Sequence, residues 1–298
     1  MTIHRIGVVL GGTNVRVALI NNTGEIIREQ EQLTEAEKGP EYVIEKIVSM
    51  IQEVKGNEEV LTVGIGSPGP LDSCKGIILS PPNLPGWDQI PIVHMIEKQI
   101  GIKVTLDNDA NAAALAEARM GAGKGAHSVY YITVSTGIGG GFVINGNLFG
   151  GAQGYAGEIG NMIVMLGGKK SSTLNPGAIE TLASGTAITR EGKERLGHIN
   201  HAQEVFALAA EGNTVAQEII EEAIHYLAIG IANLVHSINP EIFVLGGGVM
   251  KSRDQILTPL RKEVDKLVYP SLRGSIRIVP AGLGTKAGVI GASLLPIQ

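Results

Sequence analysis

Cysteine is nearly missing from this sequence: Cys74 is the single one in 298 residues. One thiol can form neither an intrachain disulfide nor a cysteine-based zinc site, so neither staple is expected. Aromatic residues are scarce at 4%, and Trp87 is the lone tryptophan. Runs of Lys and Arg are also missing, and the net charge is −5, which argues against nucleic acid as a partner. No uninterrupted apolar stretch reaches bilayer length and no signal peptide is visible, so a cytoplasmic protein with no membrane partner is expected. The seven histidines are scattered. His198 and His201 lie three apart, but no acidic or thiol side chain completes a metal pattern, and no metal ligands are assigned from the residues.

What the chain does have is glycine, 41 residues of it, with 44% hydrophobic and only 18% charged residues. This is the composition of a globular protein with a large core, tight turns and close backbone approaches. Ile6–Leu10 and Val15–Ile20 read as strands joined at Gly11-Gly12-Thr13-Asn14, and Glu25 to Leu33 reads as a third. Such a tip presents backbone N–H groups and a hydroxyl that can hold phosphate oxygens, although a Gly-Gly turn is more often only a turn. Pro40 fits the first position of a helix whose apolar stripe is Val43, Ile44, Ile47, Ile51 and Val54. Val60 to Ile65 is a further strand. A stiff Pro/Gly loop follows, carrying Asn83 and Trp87, and then a short helix from Pro91 to Ile100.

The order then restarts. Ser128–Val134, a turn Ser135–Gly141 and a strand Phe142–Ile144 repeat the N-terminal sequence of strand, Gly-rich tip with Thr, strand and Asn/Gly turn. A third Gly-rich turn, Gly246-Gly247-Gly248, follows strand Ile242–Leu245. Asn213 reads as the N-cap of a helix from about Thr214 to Ile238, with Asn239-Pro240 as its stop. Pro259–Val268, strand Ile276–Val279 and a final helix from about Lys286 to Leu295 complete an alternating α/β pattern.

Within this frame the stretch Leu106-Asp107-Asn108-Asp109-Ala110-Asn111 places polar residues where a strand runs into an Ala-rich helix ending near Met120. A carboxylate at such a junction can serve as a general base. It can equally be an N-cap, a position where Asp is favoured. Glu158 sits among Gly and other small residues that would let it approach a ligand. Glu180 falls in a helix led by Asn175-Pro176-Gly177. Both can also be ordinary surface carboxylates.

The order of these motifs resembles the ROK family of sugar kinases, especially its bacterial glucokinases. The resemblance is carried by Leu10-Gly11-Gly12-Thr13-Asn14-Val15-Arg16, Asn83-Leu84-Pro85-Gly86-Trp87, Asn108-Asp109-Ala110-Asn111, Thr136-Gly137-Ile138-Gly139-Gly140-Gly141, Ala156-Gly157-Glu158-Ile159-Gly160 and Leu245-Gly246-Gly247-Gly248. It implies an α/β chain of two ribonuclease-H-like, actin-like ATPase domains with a cleft between them. The smaller domain would be 1–120, rejoined by the C-terminal helix 286–298, on the sugar and phosphate side. The larger, 121–285, would take the nucleotide side. Asp109 is implied as the base. Asn83, Asn108, Glu158, Asn161 and Glu180 are implied as hexose ligands. Gly11, Gly12, Thr13, Asn14, Thr136, Gly137, Gly139 and Gly246 to Gly248 are implied as nucleotide and phosphate contacts.

The resemblance further implies ATP and Mg²⁺ as cofactors, a hexose substrate and a homodimer. Two departures stand out. Val9 occupies the place of an Asp that usually supports Mg²⁺–ATP in the family. Asn161, Ser171, Thr173 and Ala178 occupy the places of a His and three Cys that often bind zinc, so structural zinc is not expected. The first departure keeps open a second reading, a weak or inactive sugar-binding sensor. A DNA-binding repressor, a further role within the family, is disfavoured by the acidic balance and by the strand-like start at Ile3.

Overall fold

The computed structural model describes residues 3–171 and 173–296. In chain order the first half runs β1 (His4–Leu10), β2 (Asn14–Asn21), β3 (Ile26–Leu33), α1 (Pro40–Lys55), β4 (Val60–Ser67), β5 (Leu71–Asp72), β6 (Ile77–Ile78), α2 (Ile92–Ile100), β7 (Lys103–Asn108) and α3 (Asp109–Met120). The second half runs β8 (Ser128–Val134), β9 (Ile138–Ile144), β10 (Asn147–Leu148), α4 (Ile179–Ala183), α5 (Gly185–Leu196), α6 (Ala202–Ala210), α7 (Thr214–Ser237), β11 (Ile242–Gly246), α8 (Arg253–Leu267), β12 (Ile278–Pro280) and α9 (Ala287–Ser293).

Two five-stranded sheets form, ordered β3-β2-β1-β4-β7 and β10-β9-β8-β11-β12. Each is an antiparallel meander whose first strand pairs in parallel with a later strand, which pairs in parallel with one later still. The repeat legible in the glycine tips is therefore a repeat of sheet topology. The chain divides into two compact units. The described residues of one lie in 3–124, 150–154 and 285–296, and those of the other in 125–149 and 155–284. The first unit thus reaches four residues past Met120 and also takes in 150–154, which the sequence pattern assigned to the second.

In the first unit, β1 turns Ile6, Val8 and Leu10 into a core shared with α1 and α2. Its other face carries Gly7 and Val9. A methyl group at Gly7 would overlap the Val289 carbonyl, and one at Gly64 of β4 the Ala292 carbonyl. Helix α9 therefore lies with its backbone against the sheet, which only glycine permits. Gly291 makes the same kind of contact with the Ala112 carbonyl of α3. The second unit has its own core, in which Ile219, Leu227 and Ile231 of α7 pack with Ile132, Phe243 and Leu245 of its sheet.

Several expected boundaries move. Strand β9 begins at Ile138, so Gly139, Gly140 and Gly141 are ladder residues paired with Thr133, Ile132 and Tyr131. The turn is only Ser135–Gly137. Gly140 is needed because a Cβ there would lie 2.5 Å from the Gly157 carbonyl. Helix α8 starts at Arg253, so the segment read as Pro259–Val268 begins earlier and Pro259 is an interior residue of the helix. Helix α4 has only five residues before Ser184 restarts the chain as α5, capping it by accepting the Ala187 N–H at 3.1 Å.

Candidate active site

The Asn108–Asp109 junction forms where β7, hydrogen-bonded in parallel to β4, hands over to α3. The cap is Asn108, not Asp109: the Asn108 side chain accepts the Ala110 N–H at 2.8 Å. This corrects the reading of Asp109 as an N-cap. Asp109 becomes the first helical residue, and its carboxylate is left outside the capping bond. Asp107 on the other side is used structurally, accepting the Asn108 N–H at 2.7 Å and the Asn111 amide at 2.8 Å.

Desolvation by the surrounding protein raises the Asp109 carboxyl above the ordinary carboxylate value, opposed by hydrogen bonds from backbone N–H groups. The residue is nevertheless reached by solvent, which limits the shift. A reachable carboxylate with a raised pKa suits a general base, because its conjugate acid is weaker and its proton affinity higher. Gly66 on β4 makes room beside it: a Cβ there would lie 3.5 Å from the Asp109 Cα.

The β1–β2 tip lies in the same unit. Gly11 N–H donates to the Asn14 carbonyl at 2.9 Å. A Cβ at Gly12 would lie 2.6 Å from the Asn83 carbonyl, so the tip and the Pro/Gly loop meet backbone to backbone, and Asn83 is exposed beside Gly12. Thr13 is exposed at the tip. Asn14 is turned elsewhere, its amide donating to Glu31 on β3 at 2.9 Å. Val9, on the row of β1 that faces α9, packs with the small cluster of Ala18, Ile20 and Val289.

In the second unit, Ser135 and Thr136 meet the start of α5: the Gly185 N–H donates to the Ser135 carbonyl at 2.7 Å and the Thr186 N–H to the Thr136 carbonyl at 3.2 Å. Gly247 has φ 93°, a left-handed conformation that suits glycine, and a Cβ on Gly248 would lie 3.4 Å from the Ser135 hydroxyl. These segments border a cavity of ≈ 580 Å³ lined also by Thr189, Arg190, Lys193, Asn200, His201 and Gln203. Its charged lining is cationic and carries no carboxylate, which suits a polyanion such as a nucleotide. Sequence reasoning missed the α5 and α6 side of this cavity. Its signal was the Ser184-Gly185-Thr186 helix start followed by Arg190 and Lys193 one turn apart.

Glu180 accepts the Ile138 N–H at 2.8 Å. A side chain on Gly137 would overlap the Glu180 carboxylate, and a Cβ on Gly160 would lie 3.4 Å from it. The glycines around Glu180 are thus the space its carboxylate fills. Glu158 is exposed and close enough to Tyr130 that its charge adds to burial in raising the phenol's pKa. Tyr130 in turn donates to the Gly157 carbonyl at 2.9 Å. Asn161 accepts the Asn175 N–H at 2.7 Å, so its side-chain oxygen braces a loop, and its NH₂ and the oxygen's second lone pair are left for a ligand. Gly139, paired in the ladder, contributes backbone in mid-strand, and its N–H and C=O are directed along the sheet. Among the described residues there is no group of three or more His, Cys, Asp or Glu that could hold a metal ion, and no helix long and apolar enough to cross a membrane.

The sequence profile of the ROK family matches residues 5–298. The chain belongs to the ROK family. This ROK protein is 37% identical over 97% of its length to the glucokinase of Thermotoga maritima, of which the match covers 95%. Among solved structures it resembles the ROK hexokinase of Thermus thermophilus at 33% identity and a TM-score of 0.87, covering 99% of this chain and 97% of that one. It also resembles a ROK family glucokinase of Streptomyces griseus in complex with glucose and AMPPNP, at 30% identity and a TM-score of 0.83, covering 97% of this chain and 98% of that one. The xylose repressor of Bacillus spizizenii is 29% identical over 99% of this ROK protein and 77% of the repressor. The fold is the two-domain, actin-like ATPase fold of ROK sugar kinases.

Proposed function

We propose that this ROK protein is an ATP-dependent hexose kinase of the glucokinase type, acting on a primary hydroxyl with Asp109 as general base. The observation that carries the proposal is the Asn108 cap, which frees the Asp109 carboxylate while the surrounding protein raises its pKa. Similarity to glucokinases and to a glucokinase bound to glucose and AMPPNP supports the substrate pair. In this reading Asn83, Asn108, Glu158, Asn161 and Glu180 hold hexose hydroxyls. Gly11 to Thr13 and Thr136 to Gly137 cradle the transferred phosphates, and the ≈ 580 Å³ cavity beside Gly246 to Gly248 receives the nucleotide. Phosphoryl transfer is mostly a matter of positioning and charge stabilisation, and Asp109 takes the proton as the hydroxyl oxygen attacks the γ-phosphorus.

Magnesium accompanying ATP would neutralise the developing phosphate charge. It usually keeps water and phosphate ligands and needs few carboxylates, so the exposed hydroxyls of Thr13 and Thr136 are the oxygens this chain would offer it. A cytoplasmic homodimer without structural zinc completes the proposal. The second reading is a sugar-binding sensor with little or no turnover, favoured by Val9 and by the repressor among its relatives. A coupled ADP-release assay over a hexose panel, run beside Asp109→Ala, separates the two. Turnover that Asp109→Ala abolishes supports the kinase. Sugar binding without turnover on any hexose rejects it in favour of the sensor.

A further inference from the structure

Thr34 follows β3 directly and is fully buried, with no part of it exposed to touch a ligand. Both its hydroxyl and its N–H reach back to the β1–β2 tip. Its hydroxyl donates to the Gly11 carbonyl at 2.6 Å, and its N–H donates to the Thr13 carbonyl at 2.7 Å. Regular β2–β3 pairing ends at Asn14 with Leu33, so these two bonds extend the strand's grip over the tip. The tip's carbonyls at 11 and 13 are thereby drawn toward β3. Among the described residues, the N–H groups of Gly12 and Thr13 donate to no protein acceptor.

The position of Thr34 is itself held. Lys46 of α1 donates to the Leu33 carbonyl at 2.7 Å and pairs with the Glu35 carboxylate. Lys38 pairs with that same carboxylate at 2.5 Å, and Tyr42 donates to it at 3.0 Å. Glu35 has φ 55°, an unusual backbone for a non-glycine residue, and this cluster holds it there.

We infer that Thr34 is a positioning residue for phosphate: by taking the tip's carbonyls it aims the Gly12 and Thr13 N–H groups outward at the β- and γ-phosphates of the nucleotide. A carbonyl and the following N–H belong to one rigid peptide plane and point in opposite directions. Fixing the Gly11 carbonyl therefore fixes the Gly12 N–H; the Thr13 carbonyl shares its plane with the Asn14 N–H, so the Gly12–Thr13 plane that carries the Thr13 N–H is held between two anchored neighbours. This inference rests on the proposed kinase reading for the identity of the anion, and its test does not depend on turnover.

The test compares Thr34→Val, which keeps the shape and loses the hydroxyl, with Thr34→Ser, which keeps the hydroxyl. Thr34→Ala is a second hydroxyl-free variant in case valine fails to fold. Calorimetry with Mg²⁺ measures the affinity for AMPPNP and for AMP, which lacks the outer phosphates. Thr34→Val and Thr34→Ala should weaken AMPPNP about ten-fold while leaving AMP and hexose affinity unchanged, and Thr34→Ser should restore AMPPNP binding. Equal weakening of AMPPNP and AMP, no weakening of either, or failure of serine to restore binding would overturn the inference. Parent protein that binds AMPPNP but turns over no hexose would instead count against the kinase reading alone.

Discussion

Replacing Val9 by aspartate probes the metal side and the base of the proposed reaction together. Val9 pairs with Gly66 across the parallel β1–β4 ladder, and a Cβ on Gly66 would lie 3.9 Å from the Asp109 Cβ. Adjacent strands are about 4.8 Å apart, so a carboxylate at position 9 would stand about 7 Å from that of Asp109. With an effective dielectric of roughly 40, the repulsion is about 1.2 kcal/mol, close to one pKa unit. The Asp109 carboxyl, already raised by desolvation, should rise further. Because the base works deprotonated, the acidic limb of the kcat/KM profile should move to higher pH by about one unit. Above that limb, Val9→Asp should turn over faster than the parent, since the new oxygen supports Mg²⁺–ATP, whereas hexose affinity should stay level. The assay is coupled ADP release from pH 5 to 9, with Val9→Asn as the uncharged control. No gain at any pH would refute the claim that Val9 impairs transfer. An unmoved acidic limb would refute the placement of Asp109 as the base.

Other substitutions test neighbouring steps. Asp109→Asn should lower kcat by roughly 10²–10⁴-fold with hexose binding retained, as equilibrium titration and initial rates would reveal. It should also stabilise the protein at neutral pH. A carboxyl whose folded pKa is raised penalises the folded state once it ionises, so the melting-temperature difference from the parent should shrink as pH falls through the raised folded pKa and be gone by the ordinary carboxylate range. Asn108→Ala removes the cap of α3 and should cost about 1 kcal/mol by chemical denaturation, with a larger loss of activity because Asn108 is also a proposed hexose ligand. Gly137→Ala should displace the Glu180 carboxylate and raise the KM for hexose by about an order of magnitude if Glu180 binds a hydroxyl; an unchanged KM would count against that role. Metal analysis of purified protein should find no stoichiometric zinc.

Much of the framework was legible because it rests on local signals. Pro40, Asn213 and Gly101 mark helix ends by backbone chemistry that needs no tertiary context, and α1, α7 and α2 begin or stop beside them. The repeated Gly-rich tips correspond to two sheets of one topology. What escaped depends on contacts between distant segments. Gly139 to Gly141 look like a turn in sequence, yet they form a strand whose flatness serves the loop at Gly157. The choice of Asn108 over Asp109 as the cap is a matter of φ/ψ at a single residue, since both side chains are good caps. Arg190, Lys193 and His201 carry no motif, and they line one cavity only because α5 and α6 converge on Gly248. Thr34 looks like an ordinary loop threonine until the folded chain places it beneath the tip.

The seating of α9 has a consequence for how the protein is made. Gly7 and Gly64 lie in the first quarter of the chain, while the backbone that covers them comes from Val289 and Ala292. During synthesis that face of the first sheet stays bare, and the groove meant for α9 stays open, until residues 287–293 have left the ribosome. The second unit, whose described residues run from 125 to 284 apart from one short excursion, is complete before then. The first unit to emerge is therefore the last to close, and a chain cut short before Ala287 would have its strands in place and its sheet uncovered.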